Sequence, residues 1–145
     1  MIPLSVLVVQ NNATCRRILQ LYLEKHGNLV ATASSGKMAL EAVKKKRYHL
    51  VLLDLELPEI NGIDTAKTIK KTFPDMPVIC VTAHALPEHK EICLASGMDA
   101  HVPKPVILEG LLKTINRVLS KGKSRHTAPA PQSPARPANV ARNYR

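Results

Sequence analysis

A chain of 145 residues is long enough for one domain with a real core and too short for two comfortable ones. It is 45% apolar but only 3% aromatic, with no Trp, so the core must be aliphatic, and the stacking side chains of single-strand nucleic-acid binders are missing. The net charge of +10 is uneven: Lys121, Lys123, Arg125, Arg136, Arg142 and Arg145 follow residue 119 without one acid, so more than half of it sits in a C-terminal tail.

Leu4 to Val9 is an apolar, β-branched run, predicted as a first buried strand. Gln10-Asn11-Asn12 end it, with Asn12 as an N-cap. Cys15, Ile18, Leu19, Tyr22 and Leu23 recur at helical spacing over Ala13–His26, and Gly27 closes that helix. Leu29–Ala33 is a second strand. Ser34-Ser35-Gly36 opens a second helix with Met38, Ala39, Ala42 and Val43 on one face. Lys44 to Arg47 end it, where cations suit the negative end of the helix dipole.

Leu50-Val51-Leu52-Leu53 then runs into Asp54. A short, continuous apolar run bounded by turn signals reads as a strand buried on both faces of a parallel sheet. Asp54 falls at its carboxyl end, the edge where open α/β sheets place ligands and chemistry. Pro58 and Gly62 impose an irregular turn. Ile63–Phe73 is a third helix stopped by Pro74, and Pro77–Thr82 a fourth strand. Pro87–Ser96 is a short helix closed by Gly97, and Ala100–Val102 a brief fifth strand. Val106–Leu119 is the last helix, with Leu108, Leu111, Leu112, Ile115, Val118 and Leu119 inward. Strand and helix alternate five times, which implies a single-domain, doubly wound parallel sheet with helices on both faces over 1–120. After Ser120 the apolar pattern stops, and Pro129, Pro131, Pro134 and Pro137 block regular helix, so 121–145 is expected to be a disordered basic tail.

Cys15, Cys80 and Cys93 are odd in number and widely spaced, which argues against a disulfide framework or a zinc site and for buried reduced thiols. None pairs with a plausible base, so thiol catalysis is not expected. The apolar run at Val6–Val9 is too short for a signal peptide or membrane span. A soluble, cytoplasmic protein is expected.

The carboxyl ends of strands one, three, four and five gather Gln10, Asn11, Asp54, Thr82 and Lys104. Asp54 with Pro58 and Gly62, Thr82-Ala83 after an apolar strand, and Lys104-Pro105 after another resemble the receiver domain of two-component response regulators. Val81-Thr82-Ala83-His84-Ala85 and Ala95-Ser96-Gly97-Met98-Asp99 look most like receivers attached to hybrid sensor kinases. The resemblance covers about residues 4–120. It implies a flavodoxin-like (βα)5 fold with strand order 2-1-3-4-5, and a regulatory phosphoacceptor rather than an enzyme. In it Asp54 takes a phosphoryl group from histidine, Lys104 pairs with Asp54 and then with the phosphoryl oxygens, and Thr82 donates its hydroxyl to them. Mg²⁺ would bridge Asp54, an acidic pair after the first strand and the backbone carbonyl of Glu56. A cis Lys104–Pro105 bond would turn the lysine inward.

Two positions depart from that pattern. The acidic pair should stand at Gln10-Asn11, so three carboxylates fall to one. Mg²⁺ prefers carboxylate oxygens and is expected to bind weakly or not at all, with Gln10, Asn11, Asp54 and Glu56 as candidate ligands. His101 stands where receivers usually carry a Tyr or Phe that swings inward as Thr82 moves, so the switch is expected to be altered or absent.

Three functional readings follow. In the first, the chain is a degenerate receiver acting as a protein-interaction module. In the second, it is a working phosphoacceptor in a His–Asp phosphorelay, served by a histidine kinase or phosphotransfer protein. In the third, the basic tail binds nucleic acid without sequence specificity. The resemblance implies a partner surface over 87–119. His84, His89 and His101 fit no usual ligand spacing and read as surface or core histidines. Lys44–Arg47 and Lys70-Lys71 read as solvated helix faces.

Overall fold

The computed structural model describes residues 3–83 and 87–127, with backbone alone at 87–89 and 121–127. Five strands, Ser5–Val9 (β1), Leu29–Ala33 (β2), Leu50–Asp54 (β3), Val78–Thr82 (β4) and Ala100–Pro103 (β5), pair in parallel in the order β2-β1-β3-β4-β5. The intervening and final helices are Ala13–Lys25 (α1), Gly36–Lys45 (α2), Gly62–Thr72 (α3), Pro87–Ala95 (α4) and Leu108–Thr127 (α5). This is the flavodoxin-like order expected from the sequence.

The strand patterns follow position in the sheet. β1, β3 and β4 are buried at every residue, as their continuous apolar runs require. β2 is an edge, and Leu29 on it is exposed. Alternation along the strands divides the aliphatic core in two. Val51, Leu53, Val78 and Cys80 face α2, α3 and α4, packing on Val43, Ile69 and Cys93. Val6, Val8, Leu50 and Leu52 face α1 and α5, packing on Leu19, Leu23, Leu111 and Ile115.

Side-chain caps start three of the helices. Asn12 Oδ1 accepts from the Cys15 N–H (2.8 Å), Ser35 Oγ from Met38 (3.2 Å) and Asn61 Oδ1 from Asp64 (2.8 Å). The Asn61 cap starts α3 at Gly62, one residue before the expected Ile63.

Several expectations about faces and ends are corrected. Ile18 is 50% exposed, although its spacing suggested an inward position. Cys15, Leu19 and Leu23, four apart, form the inward seam, and Ile18 flanks it. Met38 is exposed for the same reason: Ala39 and Val43 hold the seam of α2. Lys70 is half-buried and paired with Asp99 (2.8 Å), whose Oδ2 also accepts the Val78 N–H (2.9 Å). α5 runs to Thr127, past the expected Leu119. Its added residues lack apolar periodicity, but no proline occurs before Pro129, and the basic residues at 121, 123 and 125 suit a helix C-terminus. The proline-rich part of the tail, from 128, lies outside the described residues.

Gly62 has a sharper role than turn formation. A Cβ there would collide with the Asp54 carbonyl and lie 2.6 Å from the Leu55 Cα. Its N–H donates to the Leu55 carbonyl at 2.9 Å, so α3 begins in direct backbone contact with the end of β3. Gly62→Ala should therefore force β3 and α3 apart and destabilise the domain by about 1–3 kcal/mol, read from the urea midpoint at unchanged slope. A stability within a few tenths of a kcal/mol of the parent chain would refute the close-approach account.

Candidate functional site

Asp54 ends β3 in a sheet where Val8 pairs with Leu52. Gln10 lies one step beyond β1, where its N–H donates to the Ala33 carbonyl (3.1 Å). Alternation puts Gln10 in step with Val6 and Val8, and Asp54 in step with Leu50 and Leu52, so both belong to the side covered by α1 and α5.

The Asp54 carboxylate is only 2% exposed, so its charge needs partners. Oδ1 accepts the Glu56 N–H at 3.0 Å. Oδ2 accepts from Lys104 Nζ at 3.0 Å and, more weakly, from the Asn11 N–H at 3.4 Å. Lys104 is held by its own backbone: its N–H donates to the Thr82 carbonyl (2.8 Å), and its bond to Pro105 is cis. Thr82 is fully buried at the end of β4, in step with Val78 and Cys80. The strand ends are thus tied together: Lys104 meets Asp54 through its ammonium and Thr82 through its backbone N–H.

The flanking residues behave differently from one another. Gln10 is fully buried. Its Oε1 accepts from the Cys15 thiol (3.5 Å), its main-chain carbonyl accepts from the Arg16 guanidinium (2.8 Å), and its Nε2 has no hydrogen-bond partner among the described residues. A buried amide donor left without an acceptor carries a desolvation cost. Asn11 reaches Asp54 through its backbone, and its residue is exposed. Glu56 does the same, and is also exposed at the rim.

Cys15 reads from the sequence as a buried thiol on a helix face, yet it is only half-buried and borders the pocket. Burial pushes its thiol up, Lys104 pulls it down, and Asp54 pushes it up again. Arg16, which clamps the Gln10 carbonyl, gave no sequence signal beyond its charge.

His101 is half-buried on β5 and lines a cavity of about 180 Å³ with Val102, Pro105, Ile107, Leu111 and Thr114. His84 and the side chain of His89 lie outside the described residues. Among the described residues, no three His, Cys, Asp or Glu side chains come together as a metal site. Among the described residues Asp54 is the one buried carboxylate, and it already faces an ammonium and two amides. These donors do not fit a Mg²⁺ site of three carboxylates.

The response regulator receiver domain model matches residues 6–116. The chain is 37% identical over 112 residues to the sensor histidine kinase RcsC of Escherichia coli K12, a match covering 77% of this chain and 12% of that protein. It is 31% identical over 135 residues to the response regulator MprA of Mycobacterium sp. strain KMS, covering 92% of this chain and 56% of that one. It thus spans about an eighth of the length of the sensor kinase and just over half that of the regulator. Among solved structures, a CheY-like receiver domain protein from Methanospirillum hungatei superposes with a TM-score of 0.81 at 27% identity, covering 86% of this chain and 99% of that one. The Vibrio cholerae chemotaxis protein CheY4 gives 0.77 at 28% identity, covering 81% and 99%. The chain belongs to the response regulator receiver domain family.

Two outcomes test the pocket. Lys104→Met should cost more stability than Asp54→Asn in urea unfolding. The first leaves a buried carboxylate with only backbone donors, whereas the second leaves an ammonium that is 21% exposed and reaches water. Equal costs would mean that the pair is not what holds Asp54. Alkylation of Cys15 at mildly alkaline pH should be several-fold faster in Asp54→Ala and slower in Lys104→Met, because the two charges move its thiol in opposite directions. Rates that ignore both substitutions would remove Cys15 from the pocket.

Proposed function

We propose that this receiver domain serves two-component signalling as a degenerate receiver, a cytoplasmic protein-interaction module whose Asp54 is phosphorylated weakly or not at all. The observation that carries this is the charge balance of the pocket. Asp54 stands opposite Lys104 at 3.0 Å, and Gln10 and Asn11 add no charge, so the pair neutralises itself. A divalent cation finds there one carboxylate, already engaged, and neutral amide oxygens, of which Gln10 Oε1 accepts from Cys15. Mg²⁺ binding is therefore weak in this reading.

The partner surface proposed is the 87–119 face, from α4 through β5 to α5. Two features support it. Ile107 is 75% exposed, and the cavity behind it is walled mostly by apolar groups and His101. His101, smaller than an aromatic switch residue, lines that cavity.

A second reading is favoured by one specific geometry. The buried carboxylate is paired with the Lys104 ammonium, and the Lys104 backbone is held by Thr82 at the end of β4, the three residues the phosphoacceptor reading requires. On transfer from a histidine kinase or phosphotransfer protein, an Asp54 oxygen would attack phosphorus as the phosphorus–nitrogen bond to histidine breaks. Lys104 would then move its hydrogen bond from the carboxylate to a phosphoryl oxygen.

One experiment separates the two. The full chain and the double variant Gln10→Asp/Asn11→Asp are incubated with acetyl phosphate, with and without millimolar Mg²⁺, and read by intact mass, with Asp54→Ala as control. The degenerate reading expects no metal-dependent mass gain in the parent chain and a gain in the double variant. Saturable labelling of the parent chain, not improved in the double variant, would replace it with the phosphorelay reading.

A further inference from the structure

Two buried thiols bond to each other. Cys80 lies on β4 and Cys93 on α4; both are fully buried, and their sulfurs are hydrogen-bonded at 3.0 Å. That is closer than two aliphatic carbons come at their best separation of about 3.5–4.0 Å, so packing of small apolar side chains does not account for it. They sit in the core shared by Ile69, Val78 and Met98. Cys15 packs in the other core, across the sheet, and cannot reach either.

We propose that Cys80 and Cys93 form an oxidisable dithiol that closes to a disulfide and fastens α4 to β4. The bond itself follows from the placement of the two sulfurs. Its consequence for signalling rests on the partner-surface reading above, since α4 begins the 87–119 face and Cys80 stands two residues before Thr82.

The chemistry is ordinary thiol–disulfide exchange with a low-molecular-weight disulfide such as oxidised glutathione. The hydrogen bond to Cys80 lowers the Cys93 thiol against the opposing effect of burial. The same bond, with burial, raises Cys80. When α4 lifts, Cys93, carried on that helix, reaches water and loses its proton. Its thiolate attacks one sulfur of the oxidant, whose disulfide bond breaks and releases one thiolate. Cys80 then loses its proton and attacks the Cys93 sulfur of the mixed disulfide, releasing the second. Two protein thiols are oxidised by two electrons, and one small disulfide is reduced to two thiols. Both sulfurs are buried, so exchange waits for α4 to lift from the sheet, and its rate follows that opening.

The geometry predicts a selective result. The full chain is equilibrated in a series of reduced-to-oxidised glutathione ratios, quenched in acid, alkylated in denaturant and mapped by mass. The expected outcome is loss of two hydrogens from the intact mass, retention of a reactive Cys15, and a cross-linked peptide joining residues 80 and 93. In Cys93→Ser no such bond can form, and Cys15 and Cys80 should both remain alkylatable. Should that variant fail to fold, Cys80→Val provides the same control. The parent chain in urea provides a further one: without the folded geometry the pair should need markedly more oxidant to close. Three alkylatable thiols at every ratio, stable glutathione adducts without closure, or closure equally easy in urea would each overturn the proposal. Hydrogen exchange then tests the fastening: α4 amides should exchange several-fold more slowly in the oxidised chain. Unchanged exchange beside a formed disulfide would overturn the fastening role. None of these readouts depends on whether Asp54 accepts a phosphoryl group, so a failure here is distinct from a failure of the function proposed above.

Discussion

A carboxylate almost wholly withdrawn from water sits at the end of the central strand, and the carboxyl edge of the sheet is arranged around what holds it. Asp54 takes one donor from the turn that follows β3, one from the chain leaving β1 and an ammonium from the chain leaving β5. Each arrives on a different connection, so the ion pair and its amides fix where three strand-to-helix crossings leave the sheet. Gly62 acts on the same edge from outside, allowing α3 to start against the backbone of Asp54 and Leu55. The lysine is in turn set by the Thr82 carbonyl, which links the ends of β4 and β5. A buried charge is costly to leave unpaired, and that cost ties these connections together.

The charge balance of the pocket follows from the same arrangement. With acids at positions 10 and 11 the pocket would hold three carboxylates against one ammonium, and mutual repulsion would call for a bound cation. With Gln10 and Asn11 the count is one against one. The repulsion between carboxylates is absent, and a different imperfection takes its place: among the described residues the Gln10 Nε2 is buried without an acceptor. An amide has both a donor and an acceptor end. Cys15 satisfies the acceptor and none of the described residues satisfies the donor, a mismatch that a symmetric carboxylate would not have.

Most of the fold could be read from the chain because its signals are local. The run Leu50–Leu53 before Asp54 requires burial on both faces. Asn12 and Ser35 mark helix starts by chemistry that acts over three residues, and five alternations leave few topologies. What escaped the sequence is non-local or depends on angle. Ile18 has helical spacing from its apolar neighbours but lies off the Cys15–Leu19–Leu23 seam, and spacing alone does not separate a seam from its flank. Gly62 reads as a turn glycine, yet its necessity comes from a backbone passing beneath it. The length of α5 was misjudged because apolar periodicity reports burial, and a helix end can continue in water until a proline stops it. Cys15 and Cys93 both read as buried thiols. Only the fold shows that one borders Asp54 and the other touches Cys80.

The sheet separates these two sulfur environments, and that separation limits how they can communicate. Asp54, Gln10 and Cys15 belong to the α1 and α5 side, and Cys80 and Cys93 to the α2, α3 and α4 side. Charge acts through the sheet, since beyond the Cys93 hydrogen bond and burial Asp54 raises and Lys104 lowers the Cys80 thiol, whereas displacements must pass along the strands or around their ends. β4 is the shared member. It carries Cys80 two residues before Thr82, and the Thr82 carbonyl holds the backbone of Lys104. A displacement of α4 against Cys80 and a displacement of Lys104 against Asp54 therefore meet at the same strand end, where β4 and β5 lead into the 87–119 face. In a rigid sheet such a junction couples the two displacements, whichever end of β4 is the one being driven.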